Sequence, residues 1–144
     1  FSVAFSPRSN RLVYEQQIPA DRNIWRLDLS SPDAQPTSWI ASTRVDSDAQ
    51  YSPDGKRITF RSDRSGTSEI WVCDADRSNA VKLTTQGVAG SPHWSPDGRD
   101  YVFTDRANID TEDVQIWTAE YGTDERLEIS TSQRFDYRPD WGRG

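Results

Sequence analysis

A turn-and-strand unit that returns every 43 to 47 residues constrains this chain more than any other feature. Its clearest copy is Tyr51-Ser52-Pro53-Asp54-Gly55, then Lys56-Arg57-Ile58-Thr59-Phe60, Ser62-Asp63-Arg64 and Glu69-Ile70-Trp71-Val72. Pro53 presets φ at the first corner of a turn, Asp54 suits the second, and Gly55 can take the left-handed conformation that closes it. Beyond the turn, Ile58 and Phe60 alternate with Arg57, Thr59 and Arg61, the period of a strand with one buried face. A shift of 46 residues carries Phe5-Ser6-Pro7 onto Tyr51-Ser52-Pro53 and Ile24-Trp25 onto Ile70-Trp71 without a gap. A shift of 43 carries the turn onto Trp94-Ser95-Pro96-Asp97-Gly98, and a longer loop restores the spacing of 46 at Ile116-Trp117.

Four strand-like runs fall in each unit. In the first they are Ser2–Ser6, Arg11–Gln16, Asn23–Leu29 and Thr37–Ser42. In the second they are Ala49–Ser52, Lys56–Ser62, Glu69–Asp74 and Ala80–Thr84, and in the third Pro92–Ser95, Arg99–Thr104, Val114–Glu120 and Arg126–Ser130. The spacing predicts blades of about 1–47, 48–90 and 91–136, with an extra strand at 137–142 that resembles the opening of a fourth unit. No apolar run repeats at helical period, and β-branched and aromatic residues fill the apolar positions. Four-stranded units at this period, each with a recurrent aromatic, are the signature of an all-β propeller. A lone four-stranded sheet exposes two faces, and packing it between like neighbours hides both. Trp25, Trp71 and Trp117 are expected between adjacent blades.

Composition agrees with that architecture. Hydrophobic residues make up 33% of the 144, too few for a helical bundle, yet six Trp, five Tyr and five Phe exclude a disordered chain. The net charge of −6 and the lack of a basic cluster argue against nucleic acid or an anionic membrane as a partner. No apolar run approaches the length of a membrane span, so insertion is not expected. Cys73 is the only cysteine, which rules out an internal disulfide and a cysteine-based zinc site.

The residues also carry a family resemblance. Aromatic-Ser-Pro-Asp-Gly, Ile-x-Phe, Ser-Asp-Arg-x-Gly, Glu-Ile-Trp-Val and Lys-Leu-Thr resemble the TolB-type, WD40-like (PD40) propeller repeat. Here these are Tyr51 to Gly55, Ile58 and Phe60, Ser62 to Arg64 with Gly66, Glu69 to Val72, and Lys82 to Thr84. The third unit keeps Trp94 to Gly98 and Ile116-Trp117. The first has Arg8-Ser9 in place of Asp-Gly, so its first turn should be less regular. The resemblance implies ring-shaped binding platforms of the bacterial periplasm, sensory tails of cytoplasmic regulators, or gating domains ahead of serine peptidases.

Three and a fraction blades are fewer than the roughly four to eight that close a ring. The expectation is therefore a ring of about six blades, completed by a homo-oligomer or by a missing part of a longer chain. Nucleophilic catalysis would need a base beside a Ser or Cys, and the only His is His93, with no Gly-x-Ser-x-Gly elbow anywhere. No catalytic residue, metal site or cofactor is assigned. Asp74-Ala75-Asp76 and Asp110-Thr111-Glu112-Asp113 lack the spacing of a calcium loop and read as turns. Asp63-Arg64 and Asp105-Arg106 read as structural, the Asp capping loop amides and the Arg pairing with a carboxylate across blades. The first strands of a propeller line its channel, which makes Asp48, Gln50, Ser91 and His93 the expected contact surface for a protein or peptide partner. Two rival readings stand beside that binding module: a gate for a hydrolase whose catalytic domain lies elsewhere, and a self-assembling or engineered piece.

Overall fold

The computed structural model of the chain describes residues 2–18, 21–85, 88–106, 114–123, 125–129 and 141–142. Among these, twelve strands and no helix form three four-stranded antiparallel sheets, each a meander in chain order. The first holds β1 (Val3–Ser6), β2 (Arg11–Ile18), β3 (Asp21–Asp28) and β4 (Thr37–Ile40). The second holds β5 (Asp46–Tyr51), β6 (Arg57–Ser62), β7 (Glu69–Asp74) and β8 (Val81–Lys82). The third holds β9 (Gly90–Trp94), β10 (Asp100–Asp105), β11 (Gln115–Glu120) and β12 (Arg126–Glu128). Strand β5 lies against β1, β2 and β3, and β9 lies against β5, β6 and β7, so each inner strand leans on the sheet before it.

The recurrent turns are built alike. Asp54 Oδ1 accepts the Ser52 hydroxyl at 2.6 Å and the Lys56 amide at 3.0 Å, and the Gly55 amide donates to Ser52 O with Gly55 at φ 71°. Asp97 Oδ1 accepts the Ser95 hydroxyl at 2.6 Å and the Arg99 amide at 3.0 Å, with Gly98 at φ 72°. These bonds to the ionised acid hold both Asp54 and Asp97 below the usual carboxylate range. The first turn lacks the glycine, and Asn10, one place later, takes the left-handed conformation at φ 51°. Asn tolerates that region better than most residues.

Two cores separate the three sheets. Ala4, Val13, Ile24 and Ile40 of the first sheet meet Ala49, Tyr51, Ile58, Phe60 and Cys73 of the second. The opposite face of the second sheet, with Ile70 and Val72, meets Trp94, Tyr101, Phe103 and Ala119 of the third. Burial inside the first core pushes the Cys73 thiol up to about 12. Trp25, Trp71 and Trp117 hold matching register positions, opposite Tyr14, Phe60 and Phe103. All three are half-buried; Trp71 packs against the first core and Trp117 against the second, with Arg64 5.3 Å from the Trp71 centroid and Arg126 5.0 Å from that of Trp117. Trp25 joins neither core. It shares the far face of the first sheet with Val3 and Phe5, which are 51% and 49% exposed.

The expected strand at 137–142 lies outside the described residues except for Trp141 and Gly142. The Trp141 indole N–H donates to the backbone carbonyl of His93 at 3.1 Å, which brings the chain back to β9. Asp110 to Asp113 also lie outside the described residues.

Candidate functional site

The inner strands of all three sheets converge on one cavity of about 250 Å³, lined by Ser2 and Val3, Asp48 and Gln50, and Ser91, Pro92 and His93. All four residues singled out from the sequence, Asp48, Gln50, Ser91 and His93, are half-buried there. A second cavity of about 170 Å³ adjoins it, shares Asp48 and Ser91, and adds Arg61, Thr104 and Arg106. Asp48 and Ser91 form the wall common to the two spaces, which together make an inner cleft beside β5 and β9.

Backbone geometry sets how these side chains are presented. Asp48 and Ser91 occupy the same place in successive sheets, 43 residues apart, and both are left-handed, at φ 53° and 49°. At each, the inner strand breaks register with its neighbour: between Ser47 and Gln50 in the second sheet, and opposite Val102 to Thr104 in the third. A bulge of this kind inserts an unpaired residue and re-aims the side chains that follow. Serine has no special tolerance for left-handed backbone, so surrounding structure must hold it there at a cost of about 1 to 3 kcal/mol. Beside the cleft, the Ser2 hydroxyl donates to Glu15 Oε2 at 3.2 Å within the first sheet. Thr104 donates to Gly90 O at 3.0 Å, and Arg61 Nε donates to the Ser68 hydroxyl, which itself donates to Ala89 O at 3.2 Å. Ser68 thus ties the second repeat to the segment that leads into β9.

Sequence reasoning missed Ser2, Arg61 and Arg106 as parts of this cleft. Ser2 was within reach, since the shift of 46 that aligns the first two turns also lays Ser2 on Asp48. The arginines come from second strands or their ends, where one repeat gives no hint of what faces it from the next.

Two buried acids stand nearby. Glu69 is fully buried and accepts the hydroxyls of Thr84 and Thr67. Asp105 is buried with one carboxylate oxygen lacking any hydrogen-bond partner, and its other oxygen lies 3.8 Å from Arg126 Nη1. Burial raises the Asp105 carboxyl above the usual range, and the charge of Glu69 adds to the effect. Among the described residues no group of three His, Cys, Asp or Glu gathers closely enough to hold a metal ion. Asp74 and Asp76 serve the turn after β7: Asp74 Oδ2 accepts Asn79 Nδ2 at 2.7 Å, and Asp76 Oδ1 accepts the Ser78 amide at 2.9 Å.

The Ser62-Asp63-Arg64 signature has a local role. Asp63 Oδ1 caps the Val45 amide at 2.8 Å, and Arg64 Nη2 reaches Asp46 Oδ1 at 2.8 Å. The arginine pairs inside its own sheet rather than across blades, because Asp46 opens the inner strand directly opposite Ser62.

Comparison with known proteins agrees with this architecture. Over 109 residues the chain is 29% identical to a Bacillus subtilis protein named uncharacterized peptidase YuxL, covering 69% of this chain and 16% of that protein. Over 52 residues it is 42% identical to the Protein TolB homolog of Chlorobaculum tepidum, covering 35% of this chain and 12% of the relative. The chain therefore spans less than a fifth of the length of these curated relatives. Among solved structures, TolB from Acinetobacter baumannii superposes with a TM-score of 0.73 at 22% identity, over 89% of this chain and 31% of that one. The family model of PD40, the TolB beta propeller domain, matches residues 1–142, and this chain belongs to that family.

Proposed function

We propose that this chain is a non-catalytic, protein- or peptide-binding portion of a propeller, whose partner inserts an extended segment into the cleft at the inner strands. The observation that carries the reading is the convergence of Asp48, Gln50, Ser91 and His93, from two sheets, on one cavity that the first sheet completes with Ser2. Left-handed Asp48 and Ser91 support it, since backbone strain of this kind gathers where side chains must be aimed. The three sheets act as blades of about 1–47, 48–90 and 91–136. The open face around Val3 and Phe5 is covered by a further blade, from a second copy or from other residues of a longer chain.

Selection of peptides from a random display library, followed by hydrogen exchange on the complex, tests this. Slowed exchange at β5 and β9, with binding weakened about tenfold by His93→Ala or Asp48→Ala, is the expected result. Protection confined to the outer strands β4, β8 and β12 would refute it. The similarity to a protein named as a peptidase favours a second reading, a gate through which peptide passes to a hydrolase. In that case selected peptides would bind no more tightly than about 1 mM.

A further inference from the structure

A second cavity lies well away from the inner strands, between the outer part of the first sheet and the second. It measures about 340 Å³ and is lined by Trp39 and Ile40 of β4 and by Phe60, Arg64, Cys73 and Arg77 of the second sheet. That volume falls in the range of small-molecule sites. Arg64 and Arg77 line it, and Arg26 lies over the Trp39 ring of its wall, in a chain whose net charge is −6. The Arg26 guanidinium lies 3.2 Å from the centroid of the Trp39 ring and that of Arg77 lies 4.5 Å from it. Arg64 already has its carboxylate in Asp46. Among the described residues no carboxylate comes within ion-pair distance of Arg26 or Arg77. The acids flanking Arg77 are engaged elsewhere, Asp74 by Asn79 and Asp76 by Ser78.

The repeat supplies its own control. Register places Trp39 one residue beyond the partner of Trp25; the corresponding residues are Leu83 in the second sheet and Ile129 in the third. The counterparts of Arg26 are Val72 and Thr118, each following the repeat tryptophan. Arg77 closes the turn after β7, its amide donating to Asp74 O, as the Thr123 amide does to Glu120 O in the third sheet. Arg77 is left-handed, at φ 77°, a conformation that long side chains rarely adopt. Nothing about building a blade requires an arginine there, or a tryptophan beneath it.

We propose that this interblade cavity binds a carboxylate carried on a flat apolar body: a free aromatic acid, or the carboxyl terminus of a peptide ending in an aromatic residue. Arg77 receives the carboxylate, since a guanidinium offers paired donors to two oxygens. Phe60, Ile40 and the Cys73 thiol, protonated in its buried setting, receive the ring. The site is separate from the inner cleft and stands whether or not a partner enters there.

Titration calorimetry with 3-phenylpropionate and with N-acetyl-Gly-Gly-Phe, each beside its amide, provides the test. The acids are expected to bind with Kd below about 1 mM and the amides about tenfold more weakly. Acids of both kinds binding equally identifies a small-acid site, and the peptide alone identifies recognition of a chain terminus. Arg77→Gly removes the guanidinium while giving the left-handed position the residue that suits it, so melting should hold or rise as affinity falls about tenfold. Trp39→Leu installs the residue the second sheet already carries and should lower affinity about fivefold or more. Acid and amide binding alike, no heat up to about 10 mM, or affinity unchanged in both variants would overturn the proposal.

Discussion

Replacing Arg64 by alanine should expose how the repeat signature works. The Asp46 carboxylate is fully buried and rests on two charge-assisted contacts, Arg64 Nη2 at 2.8 Å and the Ser42 amide at 2.7 Å. Breaking a buried pair by removing one partner costs about 3 to 5 kcal/mol, because the other charge is left stranded. The Arg64 side chain is 26% exposed and the Ser42 amide remains, so the cost falls at or just below the bottom of that range, about 2 to 3 kcal/mol. Loss of the guanidinium over Phe60 at 5.0 Å and Trp71 at 5.3 Å adds about 0.5 to 1 kcal/mol. Arg64→Ala is thus expected to cost about 3 kcal/mol in urea unfolding followed by tryptophan fluorescence, with the slope unchanged. A double-mutant cycle with Asp46→Asn should return a coupling of about 1 to 2 kcal/mol. A loss under about 0.5 kcal/mol, or a coupling near zero, would show that the motif does not latch the inner strand to its neighbour.

Other outcomes follow from the turns and the buried acid. Gly55→Ala should destabilise more than Gly98→Ala. Both residues are left-handed, at about 1 to 2 kcal/mol for a side chain, but a Cβ at Gly55 would stand 2.7 Å from Ser6 Oγ, against 3.5 Å from Pro53 Cδ at Gly98. Equal losses in thermal unfolding would argue against turn-to-turn packing. Asp105 has a folded pKa above its unfolded one, so its contribution falls as pH rises through that window and stays low above it. Asp105→Asn should therefore stabilise by on the order of 1 kcal/mol near about pH 7, and the gain should shrink below about pH 4, where the acid is protonated in both states. A gain that grows toward acid would reverse that assignment.

Strands and turns were legible because their causes are local. Ile58 and Phe60 announce a face by alternation, and Pro53-Asp54-Gly55 needs no distant partner to close its turn. Asp48, Gln50, Ser91 and His93 were singled out by placing the first strand of each unit innermost, and these four side chains line one cavity. What joins residues of different repeats was not legible. Nothing near Trp39 in sequence signals Arg77. The left-handed bulges at Asp48 and Ser91 also escaped notice, since neither position carries the glycine that usually marks one. That Arg64 and Arg126 close over Trp71 and Trp117 is a consequence of packing rather than period.

The second sheet gives Phe60 to one core and Ile70 to the other. Energetically it is a party wall. Injury to it disturbs both of these cores at once. The middle repeat is also the one that keeps every element of the family signature.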